Sequence, residues 1–239
     1  MKHFALIGFP LGHSLSAKYF TEKFSREGIV ADYSLLEVKS AEEVLPHCDK
    51  LTGFNVTIPH KQAIMPLLAA ISEEAKEIGA VNCVKVTPEG LFGYNTDVIG
   101  IRKSLEGVKL DGAKALVLGT GGASKAVQYA LREGGAEVAV VSRTKGVADL
   151  TYKDLSEELI CECDIIVNTT PLGMYPNVDS APELPYSVIS EKHTLFDCIY
   201  NPRQTKFLQL GAERGAHTID GLTMFYAQAE AAWKIWNED

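Results

Sequence analysis

Apolar residues fall along this chain in two alternating rhythms. Short runs of β-branched and aromatic residues, such as Phe4 to Ile7 and Tyr33 to Val38, give way to stretches whose apolar positions recur at helical spacing. Ser14 to Arg26 is one such stretch, stopped at Gly28, and Ala41 to His47 is another. Asn55-Val56-Thr57-Ile58 reads as a short strand that breaks at Pro59 into a helix with Lys61 in its first turn. Proline suits a first helical position, where its missing N–H costs nothing. A short helix near Glu73 to Glu77 precedes two β-type runs, Val81 to Val86 and Leu91 to Tyr94, joined through Pro88 and Gly90 as a hairpin. Asn95 or Thr96 then caps a helix running through Arg102, with Asp97 in its first turn. Polar residues and glycines from Gly107 to Gly112 mark a boundary. Beyond it come the strand Ala113 to Leu118, a glycine-rich turn, a helix to about Arg132 and the strand Glu137 to Val141. Asp164 to Asn168 and Leu195 to Ile199 are further strands. Gly221 to Trp236 is a long helix with Met224, Ala227, Ala231 and Ile235 near helical spacing. Strand and helix alternating in this way predict an α/β architecture with mainly parallel sheets.

Composition narrows the function classes. At 239 residues the chain suits one large domain or two modest ones, and its hydrophobic share of 46% is that of an ordinary globular protein. A net charge of −8 argues against a non-specific nucleic-acid binder, which needs a basic face. Five cysteines without regular spacing form neither a disulfide framework nor a zinc site; Cys161 and Cys163, the one close pair, lack the spacing and the partners. All five are expected as reduced thiols. The apolar run after Lys2 is broken by Pro10 and Gly12, unlike a signal peptide, and no apolar stretch approaches the roughly 20 residues of a membrane span. The expectation is a cytoplasmic protein with no membrane or nucleic-acid partner and no metal.

Two places carry candidate chemistry. Gly119-Thr120-Gly121-Gly122-Ala123-Ser124 sits between a strand and a helix, where glycines let backbone N–H groups approach a pyrophosphate at the helix N-terminus. Ser124 stands where a third glycine is usual and is still small. At the end of the next strand an acidic residue would bind the ribose 2′-hydroxyl of NAD, but the chain reads Ser142-Arg143-Thr144. A guanidinium flanked by hydroxyls suits a 2′-phosphate, which favours NADP. The second place is the pair Lys61 and Asp97, each at an expected helix start beside a strand end. Taken singly, a lysine there is commonly solvated and a first-turn aspartate commonly serves the helix dipole.

The ordered motifs resemble those of the shikimate dehydrogenases and their quinate/shikimate relatives. They are Gly8-Phe9-Pro10-Leu11-Gly12-His13-Ser14-Leu15-Ser16, Gly53 to Lys61, Gly79-Ala80-Val81-Asn82, Gly93 to Asp97, Gly119 to Ser124, Ser142-Arg143-Thr144, Asn168 to Met174, Asp197 to Pro202, and Asp220 to Met224 with Gln228 one turn on. The likeness is collinear over nearly the whole chain. It implies two domains: a substrate-binding αβα domain of residues 1–100 and 221–239, and a Rossmann-like NADP-binding domain of residues 101–220. It further implies that Ser14 and Ser16 hold the shikimate carboxylate. Thr57, Lys61, Asn82, Asp97 and Gln228 would surround the ring hydroxyls, with Tyr200 nearby. Gly119, Gly121, Gly122, Ala123, Ser142, Arg143, Thr144, Ile199, Gly221 and Met224 would meet NADP. Short neutral donors and acceptors are what a small polyhydroxylated ring requires.

Three departures stand out: Ala17 where proline is usual, Ser142 in place of the commoner asparagine, and a short stretch from Lys145 to Glu162. The resemblance implies reversible reduction of 3-dehydroshikimate by NADPH, a step of aromatic amino-acid (chorismate) biosynthesis. Lys61 is then the proton donor and Asp97 its companion. The competing readings are a quinate/shikimate dehydrogenase with broader substrate or NAD use, and a non-catalytic sensor of shikimate or nucleotide. Monomer and homodimer both remain open.

Overall fold

The computed structural model describes residues 1–12 and 14–238; His13, a member of the first motif, lies outside them. The chain divides into two compact units, residues 1–96 with 228–239, and residues 97–227.

The first unit is built on a six-stranded sheet of order β2-β1-β3-β5-β6-β4. The strands are β1 (Lys2–Gly8), β2 (Ala31–Glu37), β3 (Gly53–Val56), β4 (Ala70–Ile71), β5 (Cys83–Thr87) and β6 (Gly90–Tyr94). β1 pairs in parallel with both β2 and β3, whereas β5 runs antiparallel to β3 and to β6. Strand alternation sorts β1 between two cores. Phe4 and Leu6 pack with Phe20, Phe24, Tyr33 and Trp236. Ala5 and Ile7 pack with Phe54, Val56, Ile64 and Val84 on the other face. Helix α1 (Leu15–Glu27) starts where Ser14 caps it and ends at Gly28, while α2 (Glu73–Ile78) is capped by Ser72.

Two expected helices take other forms. Ala41–Lys50 is a continuous 3-10 helix that contains Pro46, rather than an α-helix. Lys61 lies in a series of turns that leads into a 3-10 turn over Met65–Leu67. Pro66 explains the second case: it has no N–H to donate back to residue 62, so a helix started at Pro59 cannot propagate.

The second unit holds a six-stranded, wholly parallel sheet of order β12-β11-β10-β7-β8-β9. Its strands are β7 (Lys114–Leu118), β8 (Glu137–Ser142), β9 (Leu150–Thr151), β10 (Ile165–Asn168), β11 (Thr194–Asp197) and β12 (His217–Ile219). The helices are α3 (Asp97–Ser104), α4 (Gly122–Glu133), α5 (Glu157–Glu162), α6 (Lys206–Ala212) and α7 (Leu222–Asn237), the last continuing into the first unit. The contact-defined units divide between Thr96 and Asp97 and between Ala227 and Gln228. α3 clusters with the second unit because Val98 and Ile101 are fully buried and Gly100 lies against the Met224 backbone of α7. β11 also ends two residues early: the N–H of Ile199 turns to the side chain of Asp197 instead of a neighbouring strand. No helix among the described residues is long and apolar enough to cross a membrane.

Candidate functional site

In the first sheet, strand order reverses direction between β1 and β3, the kind of position at whose carboxyl edge α/β sheets commonly take their ligands. The loops that follow the two strands are tied at their roots: Thr57 donates its N–H to the Ile7 carbonyl at 2.9 Å, and Phe9 donates to Ile58 at 3.1 Å. Ser14 and Ser16 follow β1. The hydroxyl of Ser14 accepts the Ser16 N–H at 3.2 Å, so its capping duty is realised, and a serine Oγ in that role keeps its own proton for another acceptor. Thr57 and Lys61 follow β3 and are half-buried.

The Lys61 turn is held from both sides. Its carbonyl accepts the Val81 N–H at 2.8 Å, and the ring of His60, 2% exposed, bonds the Val38 carbonyl at 2.7 Å. His60 was not singled out by the sequence. A histidine beside a lysine carries no signal that its ring turns inward to staple the turn.

Asn82 and Thr96 reach the same edge from β5 and β6. Asn82 Nδ2 donates to Thr96 Oγ1 at 2.9 Å, and its Oδ1 accepts the Thr96 N–H at 2.6 Å. Behind them Tyr33 donates to Asn55, whose amide donates to the Asn82 carbonyl. Thr96 Oγ1 donates in turn to Gln228 Oε1 at 3.5 Å, which brings Gln228 to this edge. The first unit thus collects Ser14, Ser16, Thr57, Lys61, Asn82 and Gln228 at the carboxyl ends of its parallel strands. Asp97, 4% exposed, follows Thr96 by one peptide bond and opens α3 in the second unit.

In the second sheet the reversal lies between β7 and β10. Gly119 leaves β7 with φ at +112°, a conformation that excludes a side chain, and a Cβ there would stand 2.7 Å from Thr169 Oγ1 on the loop after β10. Gly121 precedes α4 without a side-chain cap, and a Cβ on it would meet nothing within 4 Å. Together with the first-turn N–H groups of Gly122 and Ala123, this leaves open space in front of a helix N-terminus, which fits a pyrophosphate. Ser124 is fully buried and donates to the Gly119 carbonyl at 2.6 Å, closing the turn that a third glycine would otherwise permit.

Beyond β8, Ser142 Oγ accepts the Thr144 N–H at 3.1 Å and shapes the turn that presents the exposed side chains of Arg143 and Thr144. Arg143 forms no ion pair among the described residues, so its guanidinium is available to an anion. Ile199, Gly221 and Met224 sit together: Gly221 donates to the Ile199 carbonyl at 3.0 Å, and a Cβ on Gly221 would approach the Cys198 carbonyl to 2.4 Å. The Tyr200 ring lies 4.8 Å from that of Phe225. The whole set fits a phosphorylated dinucleotide.

One buried group near this cluster carries no signal of its own in the sequence beyond its place in the motif Asp197 to Pro202. Asp197 is fully buried at the end of β11, and burial pushes its carboxyl from 3.8 up to about 6, against the lowering by hydrogen bonds from Thr205, the Ile199 N–H and Asn168. Because its folded value lies above the unfolded one, Asp197 favours the fold below about pH 4, and that contribution is lost as pH rises through about 6. Asp197→Asn should therefore shrink the fall in stability between pH 4 and pH 7 by about 2 kcal/mol, read by urea unfolding of both proteins at the two pH values.

A family model for the shikimate dehydrogenase substrate binding domain matches residues 6–84. The chain is 40% identical to the shikimate dehydrogenase (NADP(+)) of Clostridium beijerinckii, over 100% of this chain and 93% of that protein. Among solved structures it is similar to shikimate dehydrogenase 1 of Peptoclostridium difficile, with a TM-score of 0.88, 38% identity, and coverage of 99% and 91% of the two chains. It is also similar to the Thermus thermophilus shikimate 5-dehydrogenase in complex with NADP(H) and shikimate, with a TM-score of 0.88, 33% identity, and coverage of 99% and 94%.

Proposed function

We infer that this chain, which belongs to the shikimate dehydrogenase family, catalyses the reversible NADP(H)-linked interconversion of 3-dehydroshikimate and shikimate. The observation that carries the reading is the coexistence of two strand-end clusters. One is rich in neutral hydroxyls and amides around a lysine, and the other is a glycine turn followed by an unpaired arginine. The first unit, with the end of α7, is assigned the substrate, and the second the nucleotide.

Bound NADPH supplies hydride to the ketone carbon and, as NADP+, accepts it in the reverse direction. Ser14 and Ser16 donate their hydroxyl protons to the substrate carboxylate. Thr57, Asn82 and Gln228 orient the ring hydroxyls, and Tyr200 completes the substrate contacts. As the carbonyl oxygen gains charge, Lys61 hydrogen-bonds it and delivers the proton; in reverse its neutral amine removes the alcohol proton. Asp97 keeps Lys61 oriented and takes a ring hydroxyl. Gly119, Gly121, Gly122 and Ala123 offer the pyrophosphate a bare backbone. Arg143 and Thr144 hold the 2′-phosphate from the turn that Ser142 shapes. Ile199, Gly221 and Met224 form the surface for the nicotinamide half.

The test crosses shikimate and quinate against NADP+ and NAD+ while following nicotinamide absorbance. Activity centred on shikimate with NADP+ is expected. Equal turnover of quinate, or preference for NAD+, would favour the broader dehydrogenase, and silence in every combination would leave a sensor. Within the same assay Arg143→Ala should raise KM for NADP+ about 10- to 100-fold, the scale of lost hydrogen bonds to a charged group, with little change for NAD+. Equal effects on both cofactors would remove the 2′-phosphate role.

A further inference from the structure

Asp197 is an unusual group to keep inside a sheet. Its partners among the described residues are all neutral, with no lysine, arginine or histidine beside it, yet both oxygens are occupied. Oδ2 accepts from Thr205 Oγ1 at 2.6 Å and Oδ1 accepts the Ile199 N–H at 3.0 Å, while Asn168 Nδ2 lies 3.2 Å from each. All three side chains are 0% exposed. A buried carboxylate without a counter-ion is costly, and an apolar or amide replacement would commonly stabilise the fold. Stability alone therefore does not account for it.

What the carboxylate does locally is hold backbone. The Ile199 N–H points to Asp197, and the Ile199 carbonyl accepts the N–H of Gly221, whose own carbonyl accepts the Phe225 N–H at the head of α7. On the other side Asn168 organises the loop after β10. Its Oδ1 accepts from Thr170 Oγ1 at 2.7 Å and from the Thr170 N–H at 3.0 Å, and its Nδ2 reaches the Leu172 carbonyl at 3.2 Å. Thr205 is at once a donor to Asp197 and the cap of α6. Three segments at the carboxyl edge of the second sheet thus meet at one carboxylate.

We propose that Asp197, clamped between Asn168 and Thr205, is a positioning residue that fixes the Ile199–Gly221 backbone as the surface on which the nicotinamide half of the cofactor lies. The inference rests on the functional reading above, which assigns Ile199, Gly221 and Met224 to that half. Asp197 touches neither hydride nor proton; it sets where the ring is held, and small misplacement of reacting groups is expensive in rate.

The experiment uses the full-length protein without ligand and the variant Asp197→Asn, which keeps shape and removes one acceptor. Calorimetric titration with NADP+ should show affinity about tenfold weaker, while adenosine 2′,5′-bisphosphate, which occupies only the adenosine half, should bind within about twofold of wild type. Amide exchange at Ile199 and Gly221 should quicken while the β7 and β10 amides hold, and the urea midpoint at neutral pH should not fall. In turnover, kcat should drop about tenfold or more with the KM for shikimate little changed. Thr205→Val should repeat the affinity, exchange and turnover pattern, with a urea midpoint lowered only by the lost α6 cap, and Thr205→Ser should restore both, which keeps the test decisive even if Asp197→Asn folds poorly.

Wild-type NADP+ affinity and exchange in both Asp197→Asn and Thr205→Val would overturn the proposal. So would parallel weakening of both ligands with a lower urea midpoint, the mark of a merely structural residue. Failure of wild type to bind NADP+ at all would instead overturn the functional reading, while amide exchange would still decide whether the carboxylate holds Ile199.

Discussion

Lys61→Ala is expected to lower kcat by roughly 10²–10⁴-fold, the usual scale of proton transfer by a positioned group, while the KM for shikimate changes little. The backbone of the Lys61 turn has anchors of its own. The carbonyl of Lys61 is held by Val81, and the ring of His60 anchors the preceding residue to Val38. Truncation therefore removes the amine and leaves these backbone anchors in place. Steady-state kinetics with shikimate and NADP+ would check it, with far-ultraviolet circular dichroism showing the fold intact. Turnover within a few-fold of wild type would assign the proton donor elsewhere.

Trp236→Ala should cost about 3–5 kcal/mol of stability, the range for removing a large aromatic from a packed core. The indole is 2% exposed and stacks on Phe4 with ring centroids 4.7 Å apart. It also lies 5.5 Å from the Phe20 ring and donates Nε1–H to the Val84 carbonyl at 3.0 Å. Its loss opens a cavity and removes a hydrogen bond to a buried carbonyl in one step. Gly53 supplies an independent check, since a Cβ there would come within 2.3 Å of the indole, too close for either group to remain in place. Gly53→Ala should destabilise through crowding where Trp236→Ala does so through emptiness. Urea unfolding of the two variants should show both midpoints lowered; an unmoved midpoint for Trp236→Ala would mean that the end of α7 contributes little to this core.

Much of this architecture could be read directly from residue pattern. The strand at Phe4, the helix capped by Ser14 and closed at Gly28, the hairpin across Gly90 and the strand–glycine turn–helix from β7 to α4 all carry local signals strong enough to survive folding. The errors fell where a single local rule was read without its neighbour. Pro59 is a good helix start on its own, but Pro66 denies that helix its continuation; Ala41–Lys50, which contains Pro46, is 3-10 throughout. Strands as short as Ala70–Ile71 and Leu150–Thr151 show no period to detect.

At the candidate site, residue types were legible and their bonds were not. Nothing in the order of residues shows that Asn82 spends its amide on Thr96, or that the His60 ring turns inward to Val38. Asp197 was visible as a motif member, but its burial among neutral donors is a property of three loops meeting, which no stretch of sequence contains.

The path of α7 has a consequence for how such a protein can be rearranged. Residues 97–227 are one uninterrupted length of chain, whereas the first unit needs both termini, because Trp236 fills its core and Gln228 meets Thr96. Residues 97–227 are thus a cassette inserted into the first unit. A fragment ending at Thr96 would expose Phe4 and Phe20 where the indole belongs, and no single cut releases a complete first unit. Recombination could exchange the inserted cassette between relatives with two crossovers. The first unit would be inherited only as a pair of ends, joined or lost together.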